Sequence, residues 1–303
     1  MSDPLVNAPH DIGAALTRGE RSFSFEFFPP KTDEGEARLW HTLRELEPLR
    51  PTFASVTYGA GGSTRDRTVR LTARLAAETT LTPLGHLTCV GSTVEQLQGV
   101  IASYADAGVL NILALRGDPP QGPGTSWEPT PGGFDHAEQL VELVRSLGSF
   151  SVGVAAFPEG HPESASRDDD ARVLARKAMA GASFAITQFF FRVGDYLDLV
   201  DRTRALGCEI PILPGIMPVT NLGQIQRFAE LSGAGVPAEL VERFAMLGDD
   251  QAAVRELGIE IASNLCRDLL DQGAPGLHFY TLNSSTATRE IYANLALGAA
   301  RSG

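Results

Sequence analysis

The sequence predicts one single-domain (β/α)8 TIM barrel spanning 1–303, on three observations. Eight short β-rich runs are each followed by a stretch with helical spacing. The 303 residues match the usual size for eight such units. No linker or shift in composition divides the chain. Alternation of this kind implies parallel strands joined by crossover helices. The competing architecture is an open doubly wound sheet, whose dinucleotide fingerprint is not met. Gly59-Ala60-Gly61-Gly62-Ser63-Thr64 begins like GxGxxG but lacks the last glycine, and no acidic residue follows in the ribose position.

The elements follow in order. Ser22 to Phe28 is the first run, closed by Pro29 and Pro30, which cannot continue a ladder. Leu39, Leu43, Leu46 and Leu49 then share one face of a helix over 33–49. Phe53 to Tyr58 is the second run, broken by Gly59, Gly61 and Gly62, with a helix over 64–78 behind it. Further strands are expected at 84–89, 112–115, 151–156, 184–189, 212–216 and 277–281. Helices are expected near 93–107, 135–147, 169–180, 195–206 and 220–232. Two extra helices, near 236–246 and 249–271, precede the last strand, and one near 285–298 closes the chain.

Composition narrows the function. A net charge of −12 disfavours a nucleic-acid partner, and the only lysines are Lys31 and Lys177. Cys89, Cys208 and Cys266 are far apart and odd in number, which points away from a disulfide framework or a zinc knuckle. His86 and Cys89, three apart on a strand, would face opposite ways, so no metal site is expected. There is no basic-then-apolar leader and no run of about 18 apolar residues to cross a bilayer. The expectation is a cytoplasmic protein without a membrane or nucleic-acid partner.

In a barrel of this kind, chemistry belongs to the C-terminal strand ends and the loops after them. Glu26 lies among Phe23, Phe25, Phe27 and Phe28, where desolvation is expected to raise its pKa and suit it to general-acid work. A structural ion pair with an arginine is the alternative reading. Strand parity puts Ser24 and Glu26 on one face, toward the barrel mouth. Thr57-Tyr58-Gly59-Ala60 ends the second strand with donors and little bulk. His86 is either a ligand contact or a satisfied core histidine. Arg116-Gly117-Asp118 ends the fourth strand, an arginine suited to a phosphate or carbonyl and an aspartate suited to an N–H-rich ring. The Pro/Gly-rich stretch 119–133 is long enough to cover a site. Phe157 and His161 follow the fifth strand. Asp168 and Asp169 are first explained as helix-start charges. Gln188 offers an amide to a heterocycle or bonds a neighbouring loop.

Assembled, these segments resemble methylenetetrahydrofolate reductases of the bacterial, catalytic-domain-only type. The resemblance covers nearly the whole chain. It rests on Phe25-Glu26-Phe27-Phe28-Pro29-Pro30-Lys31, Ser55-Val56-Thr57-Tyr58-Gly59-Ala60, His86-Leu87-Thr88-Cys89 and Ala114-Leu115-Arg116-Gly117-Asp118. It continues in Phe157-Pro158-Glu159-Gly160-His161-Pro162-Glu163, Ile186-Thr187-Gln188, Pro214-Gly215-Ile216-Met217-Pro218 and His278-Phe279-Tyr280-Thr281-Leu282-Asn283.

The resemblance implies an FAD at the strand ends, reduced by NADH or NADPH, which leaves before the folate takes its place and accepts a hydride. That is a ping-pong route in one-carbon metabolism, supplying methionine synthesis. Glu26 matches the family's general acid, and Asp118 the carboxylate that holds the pterin and tunes the flavin. Gln188, Gln224, Phe228 and Tyr280 match the substrate positions. Thr57, Tyr58, Ala60, His86, Arg116, Gly117, Asp118, Phe157, His161, Asp170 and Lys177 match the flavin positions. Phe157 stands where a tyrosine is common, and Ser284 where an arginine usually holds the folate tail, with Arg289 a turn further on. The expected partners are reduced folate and the nicotinamide; the extra helices over 236–271 are a candidate interface for a homo-oligomer, whose existence the sequence leaves open. A folate-binding barrel working without flavin and a non-catalytic barrel are the other hypotheses. The carboxylate, the arginine–aspartate pair and the amide at strand ends disfavour the last.

Overall fold

The computed structural model describes residues 11–19, 21–58, 62–119, 125, 127–221, 223–224 and 236–296. Its strands are β1 (Ser22–Phe27), β2 (Phe53–Val56), β3 (Pro83–Thr88) and β4 (Asn111–Leu115). They continue with β5 (Ser151–Ala156), β6 (Phe184–Phe189), β7 (Ile212–Ile216) and β8 (Gly276–Tyr280). All pair in parallel in sequence order, and β8 pairs back onto β1 to close the ring. The helices are α1 (Ile12–Thr17), α2 (Asp33–Leu46), α3 (Gly62–Glu78), α4 (Val94–Asp106) and α5 (Ala137–Leu147). After them come α6 (Arg167–Met179), α7 (Val193–Ala205), α8 (Ala238–Ala245), α9 (Gln251–Asp271) and α10 (Thr286–Asn294). This is the (β/α)8 barrel that the alternation predicts, with two extra helices, α8 and α9, before the last strand.

Local chemistry sets the boundaries. Gly35 N donates to Thr32 Oγ1 at 3.1 Å to start α2, and Asp33, Glu34 and Glu36 complement its dipole. The helix expected over 33–49 stops at Leu46, where Pro48 opens a single 3-10 turn and Arg50 turns left-handed at φ 50°. The second strand ends at Val56, short of Tyr58. The Thr57 carbonyl accepts from Thr68 Oγ1 at 2.9 Å, which draws the chain out of the ladder. Thr93 and Gln96 form a reciprocal capping box at the start of α4. Of the helix expected near 220–232, only 220–221 and 223–224 lie within the described residues.

Side-chain parity separates two cores. Phe23, Phe25 and Phe27 face outward into the layer between strands and helices, where Phe25 packs 6.0 Å from Phe279 and 5.8 Å from Tyr292 between ring centroids. Burying each ring is worth roughly 1.5–3 kcal/mol. Inside the barrel, Phe53, Leu84, Leu113, Phe184 and Leu213 fill the lower layers together with Ile12 and Leu16 of α1. Helix α1 was not among the elements expected from periodicity. It docks under the barrel through Ile12 N to Asn111 Oδ1 (3.1 Å) and Gly13 N to Ser151 Oγ (3.0 Å), groups on the first residues of β4 and β5. Chemistry is therefore left to the opposite rim. Among the described residues no helix is long and apolar enough to cross a membrane, and no group of three or more His, Cys, Asp or Glu could hold a metal ion.

Candidate active site

Glu26 is the fifth residue of β1, in register with Ser55 of β2 and Tyr280 of β8. Because Phe25 and Phe27 point outward, the carboxylate between them points into the barrel, as strand parity requires. It is only 5% exposed. Ser55 Oγ donates to Glu26 Oε2 at 3.3 Å, His278 Nε2 lies 3.2 Å from the same oxygen, and His86 Nε2 lies 3.4 Å away. Thr281 Oγ1 donates to the Glu26 carbonyl at 2.7 Å, tying β1 to the end of β8. The ion pair with an arginine that was the alternative reading is replaced by two imidazoles.

This changes the expected electrostatics. Burial pushes the Glu26 carboxyl up, but the charge that His86 acquires only in the acid range, with the hydrogen bonds of His278 and Ser55 and the charge of His278, outweighs it and leaves the group below its ordinary value. The expectation of a raised pKa counted only the phenylalanines, whose rings face the other way. His86 itself is pushed down to about 4, chiefly by burial, so it is neutral near pH 7. A histidine held neutral binds its proton more readily when unfolded. Stability is therefore complete above pH 6.5 and falls as pH drops toward 4. Between pH 6.5 and 5 this single group costs about 2 kcal/mol. Glu26, depressed from 4.5, acts only below that window. Urea unfolding across this range is expected to show a flatter pH dependence in His86→Gln than in the parent. Equal slopes would mean that His86 is accessible to protons in the folded state.

Next along the rim, Arg116, Gly117 and Asp118 leave β4. The Arg116 guanidinium forms a two-pronged pair with Glu163 (Nη1 to Oε2 2.5 Å, Nη2 to Oε1 2.8 Å) and stacks on Trp127 at 4.6 Å. This pairing raises its pKa further. The fork expected to hold a phosphate or carbonyl is thus engaged by a glutamate from the loop after β5. Trp127 belongs to the stretch expected to cover a site; the same stretch binds the end of β3 through Gly91 N to Thr130 Oγ1 (3.0 Å). Gly117 has φ 86°, and a Cβ there would lie 2.4 Å from Val90 Cγ1. Asp118 is exposed beside it.

The loop after β5 is organised by Asp170. Its carboxylate accepts from His161 N (2.7 Å) and Ser164 Oγ (2.6 Å), although it sits in the first turn of α6. Asp168 and Asp169 lie in the first turn of α6, where their charge suits the helix dipole; Ser166 is the cap, and the two aspartates pair on the surface with Arg202 and Arg172. His161 meets Phe157 edge-on at 4.7 Å, and burial lowers its pKa. Lys177 is buried, donates to the Ala155 carbonyl at 3.0 Å and is pushed down to about 8 by desolvation.

The remaining positions are placed as follows. Gln188 is half-buried near the end of β6, its Oε1 accepting from Phe189 N at 3.0 Å. Tyr280 donates its hydroxyl to the Thr187 carbonyl at 2.7 Å, a brace between β8 and β6. Gln224 Oε1 accepts from Thr220 N at 2.7 Å. Thr57 N donates to the Phe27 carbonyl at 2.8 Å. Ala60 and Phe228 lie outside the described residues. Ser284 is at the β8 exit, and Arg289 reaches Glu45 at 3.4 Å.

Three contributors escaped the sequence reading as site residues: His278, Ser55 and Asn283. His278 and Ser55 were visible only through parity, as the inward neighbours of Glu26. Asn283 takes φ 57° and braces Phe28 through two 2.8 Å hydrogen bonds, Phe28 N to Oδ1 and Nδ2 to the Phe28 carbonyl. Glu26, Asp118 and Gln188 all belong to the C-terminal rim of one closed barrel. Around that rim the buried Tyr58 hydroxyl, His86 Nε2 and Thr88 Oγ1 find no hydrogen-bond partner among the described residues.

Known proteins resemble this chain as follows. The family model described as methylenetetrahydrofolate reductase matches residues 11–296. A 5,10-methylenetetrahydrofolate reductase of Escherichia coli (strain K12) is 39% identical over 277 residues, 91% of each chain. Methylenetetrahydrofolate reductase (NADH) 1 of Arabidopsis thaliana is 36% identical over 297 residues, covering 94% of this chain and 50% of that protein. A solved structure, an uncharacterized protein from Clostridium thermocellum that binds two copies of 5-methyl-5,6,7,8-tetrahydrofolic acid, superposes with a TM-score of 0.63 at 12% identity. That match covers 94% of this chain and 96% of the other, a likeness of fold.

Proposed function

The chain belongs to the methylenetetrahydrofolate reductase family, oxidoreductases that reduce methylenetetrahydrofolate to methyltetrahydrofolate, and from that premise we propose a flavin-dependent, ping-pong reaction at the C-terminal rim. NADH or NADPH is the reductant, and the whole chain acts as one catalytic unit in the cytoplasm, in one-carbon metabolism that supplies methionine synthesis. FAD, when bound, would supply the two-electron store that receives a hydride from the nicotinamide and delivers it to the folate.

The residues present fit such a group. His86 Nε2 and Thr88 Oγ1, two apart on β3 and so on one face of it, are buried without hydrogen-bond partners among the described residues and are suited to the edge of a polar heterocycle; Tyr58 stands at the exit of β2. Gly117 lets the chain turn left-handed close against Val90 and Thr88 at the end of β4, and Arg116 and Asp118 flank it with opposite charges. His161, Asp170 and Lys177 supply donors and charge for a sugar-phosphate chain beyond β5. Thr57, Ala60 and Phe157 complete that set.

On the folate side, Glu26 is the proton donor. It protonates the nitrogen that leaves when the five-membered ring of the substrate opens, and the cationic iminium carbon that results accepts the hydride. Asp118 and Gln188 bind the amino-substituted pterin, with Gln224 and Tyr280 along its edge; Phe228 joins the substrate set by resemblance alone. The single observation that carries this reading is Glu26, a carboxylate buried at the rim of the barrel with imidazoles rather than a cation as partners. The absorption spectrum is the test. Yellow protein that bleaches anaerobically with NADH and recovers its colour with methylenetetrahydrofolate is expected. Colourless protein that still reduces the folate would replace this reading with direct hydride transfer.

A further inference from the structure

Glu26 raises a question of supply. A general acid must hold a proton at the moment of reaction, yet this carboxyl is flanked by groups that favour its ionised form. The geometry beneath it shows where the proton can be kept. His278, fully buried, points one ring nitrogen at each of two partners: Nε2 lies 3.2 Å from Glu26 Oε2, and Nδ1 lies 2.8 Å from Ser24 Oγ. Ser24 Oγ in turn reaches the Leu277 carbonyl at 3.4 Å. The ring plane is held by Phe53, stacked at 5.6 Å and 21°, and by Tyr280, edge-on at 5.4 Å and 84°.

We infer that His278 is a positioning residue that shares one exchangeable proton with Glu26, and that Ser24 makes both states of this pair fully hydrogen-bonded. The inference rests on the reading of Glu26 as the proton donor. In the charged-ring state, Nδ1–H donates to Ser24 Oγ, the Ser24 hydroxyl donates to the Leu277 carbonyl, and Nε2–H donates to the Glu26 carboxylate. During ring opening the Nε2 proton passes to Glu26 Oε2 and Glu26 gives a proton to the leaving nitrogen of the folate. The C–N bond breaks with its electron pair on that nitrogen. The imidazole is left neutral with its proton on Nδ1, still held by Ser24, and solvent returns one proton to the pair.

The other groups facing the pair fit this assignment. His86, from β3, approaches the same oxygen at 3.4 Å without a hydrogen bond, and burial keeps it neutral. Tyr280, from β8, donates elsewhere and keeps its proton, because burial raises its pKa well above the ordinary value. Ser55, from β2, donates to Oε2 in either state. His278 has a built partner for each nitrogen, Glu26 at Nε2 and Ser24 at Nδ1, whereas His86 Nε2 has none among the described residues.

The test compares the two half-reactions in His278→Asn, Ser24→Ala and Glu26→Gln holoenzymes. His278→Asn is expected to reduce its flavin with NADH at the parental rate. It should lose about 10²-fold in folate reduction at pH 7.5, and the loss should shrink steadily as the pH is lowered and solvent supplies the proton to Glu26 directly. Ser24→Ala, the milder change, should show the same pH shape with a loss of about tenfold or less, and it carries the test if His278→Asn does not fold. A second readout uses the ligand-free protein labelled with 15N-histidine. The ring signals of His278, identified by their loss in His278→Asn, should move on Glu26→Gln. Parental pH profiles in both variants, or ring signals unmoved by Glu26→Gln, would overturn the sharing. Glu26→Gln with an intact folate half-reaction would instead remove the reading of Glu26 on which it stands.

Discussion

Glu26→Gln is expected to leave the reduction of bound flavin by NADH within about twofold of the parent while slowing methylenetetrahydrofolate reduction by roughly 10²–10⁴-fold, the range of a lost general acid. The amide keeps the shape of the carboxyl and can still accept from Ser55, so the neighbouring hydrogen bonds survive in part. What it cannot do is release a proton. Stopped-flow traces of the two half-reactions measured separately make the comparison. Equal slowing of both halves would mark Glu26 as structural, and parental folate kinetics would remove it from the chemistry. A carboxylate that held only the barrel wall would behave in the first way, since losing a buried charged partner disturbs His278 and His86 whichever ligand is present.

Gly117→Ala is expected to give a folded barrel that retains little flavin. The residue sits at φ 86°, where a Cβ adds about 1–2 kcal/mol of backbone strain. That Cβ would also lie 2.4 Å from Val90 Cγ1, forcing the strand end to shift at a further cost of about 1–3 kcal/mol. Both costs fall between Arg116 and Asp118, so the movement separates the two charged groups from the proposed cofactor face. Flavin content after gel filtration should fall at least tenfold, with the far-ultraviolet spectrum of the parent retained. Full flavin content in this variant would show that the end of β4 tolerates displacement and does not line the cofactor.

Much of the architecture was legible because its signals are local. The Phe-polar alternation of β1, the closing Pro29-Pro30 and the leucine face of α2 are set within a few residues of each other. Helix α1 was missed because six residues give too little periodicity to read, and its reason to exist, the floor of the barrel, is nonlocal. The tail of α2 was overextended because Leu49 continues the spacing while Pro48 breaks the hydrogen bonding. At the site, the strand-end polar residues were identifiable, but their partners were not. The imidazole that holds Glu26 arrives from 252 residues away, and the glutamate that engages Arg116 from 47 away. A sequence shows which groups are unusual; only closure of the ring shows which of them meet.

That closure has a consequence for how the protein is made. The Ser24–His278–Glu26 group straddles the junction of β1 and β8, so it is assembled from residues 252 and 254 positions apart in the chain. Pairings so far apart in sequence are the slowest to form, because the intervening chain must first surrender its freedom. A ribosome-bound or half-refolded chain can hold most of its helices and carry Glu26, and still lack the His278 that meets it. Catalytic competence is therefore a late event, a built-in signal that the last strand has docked.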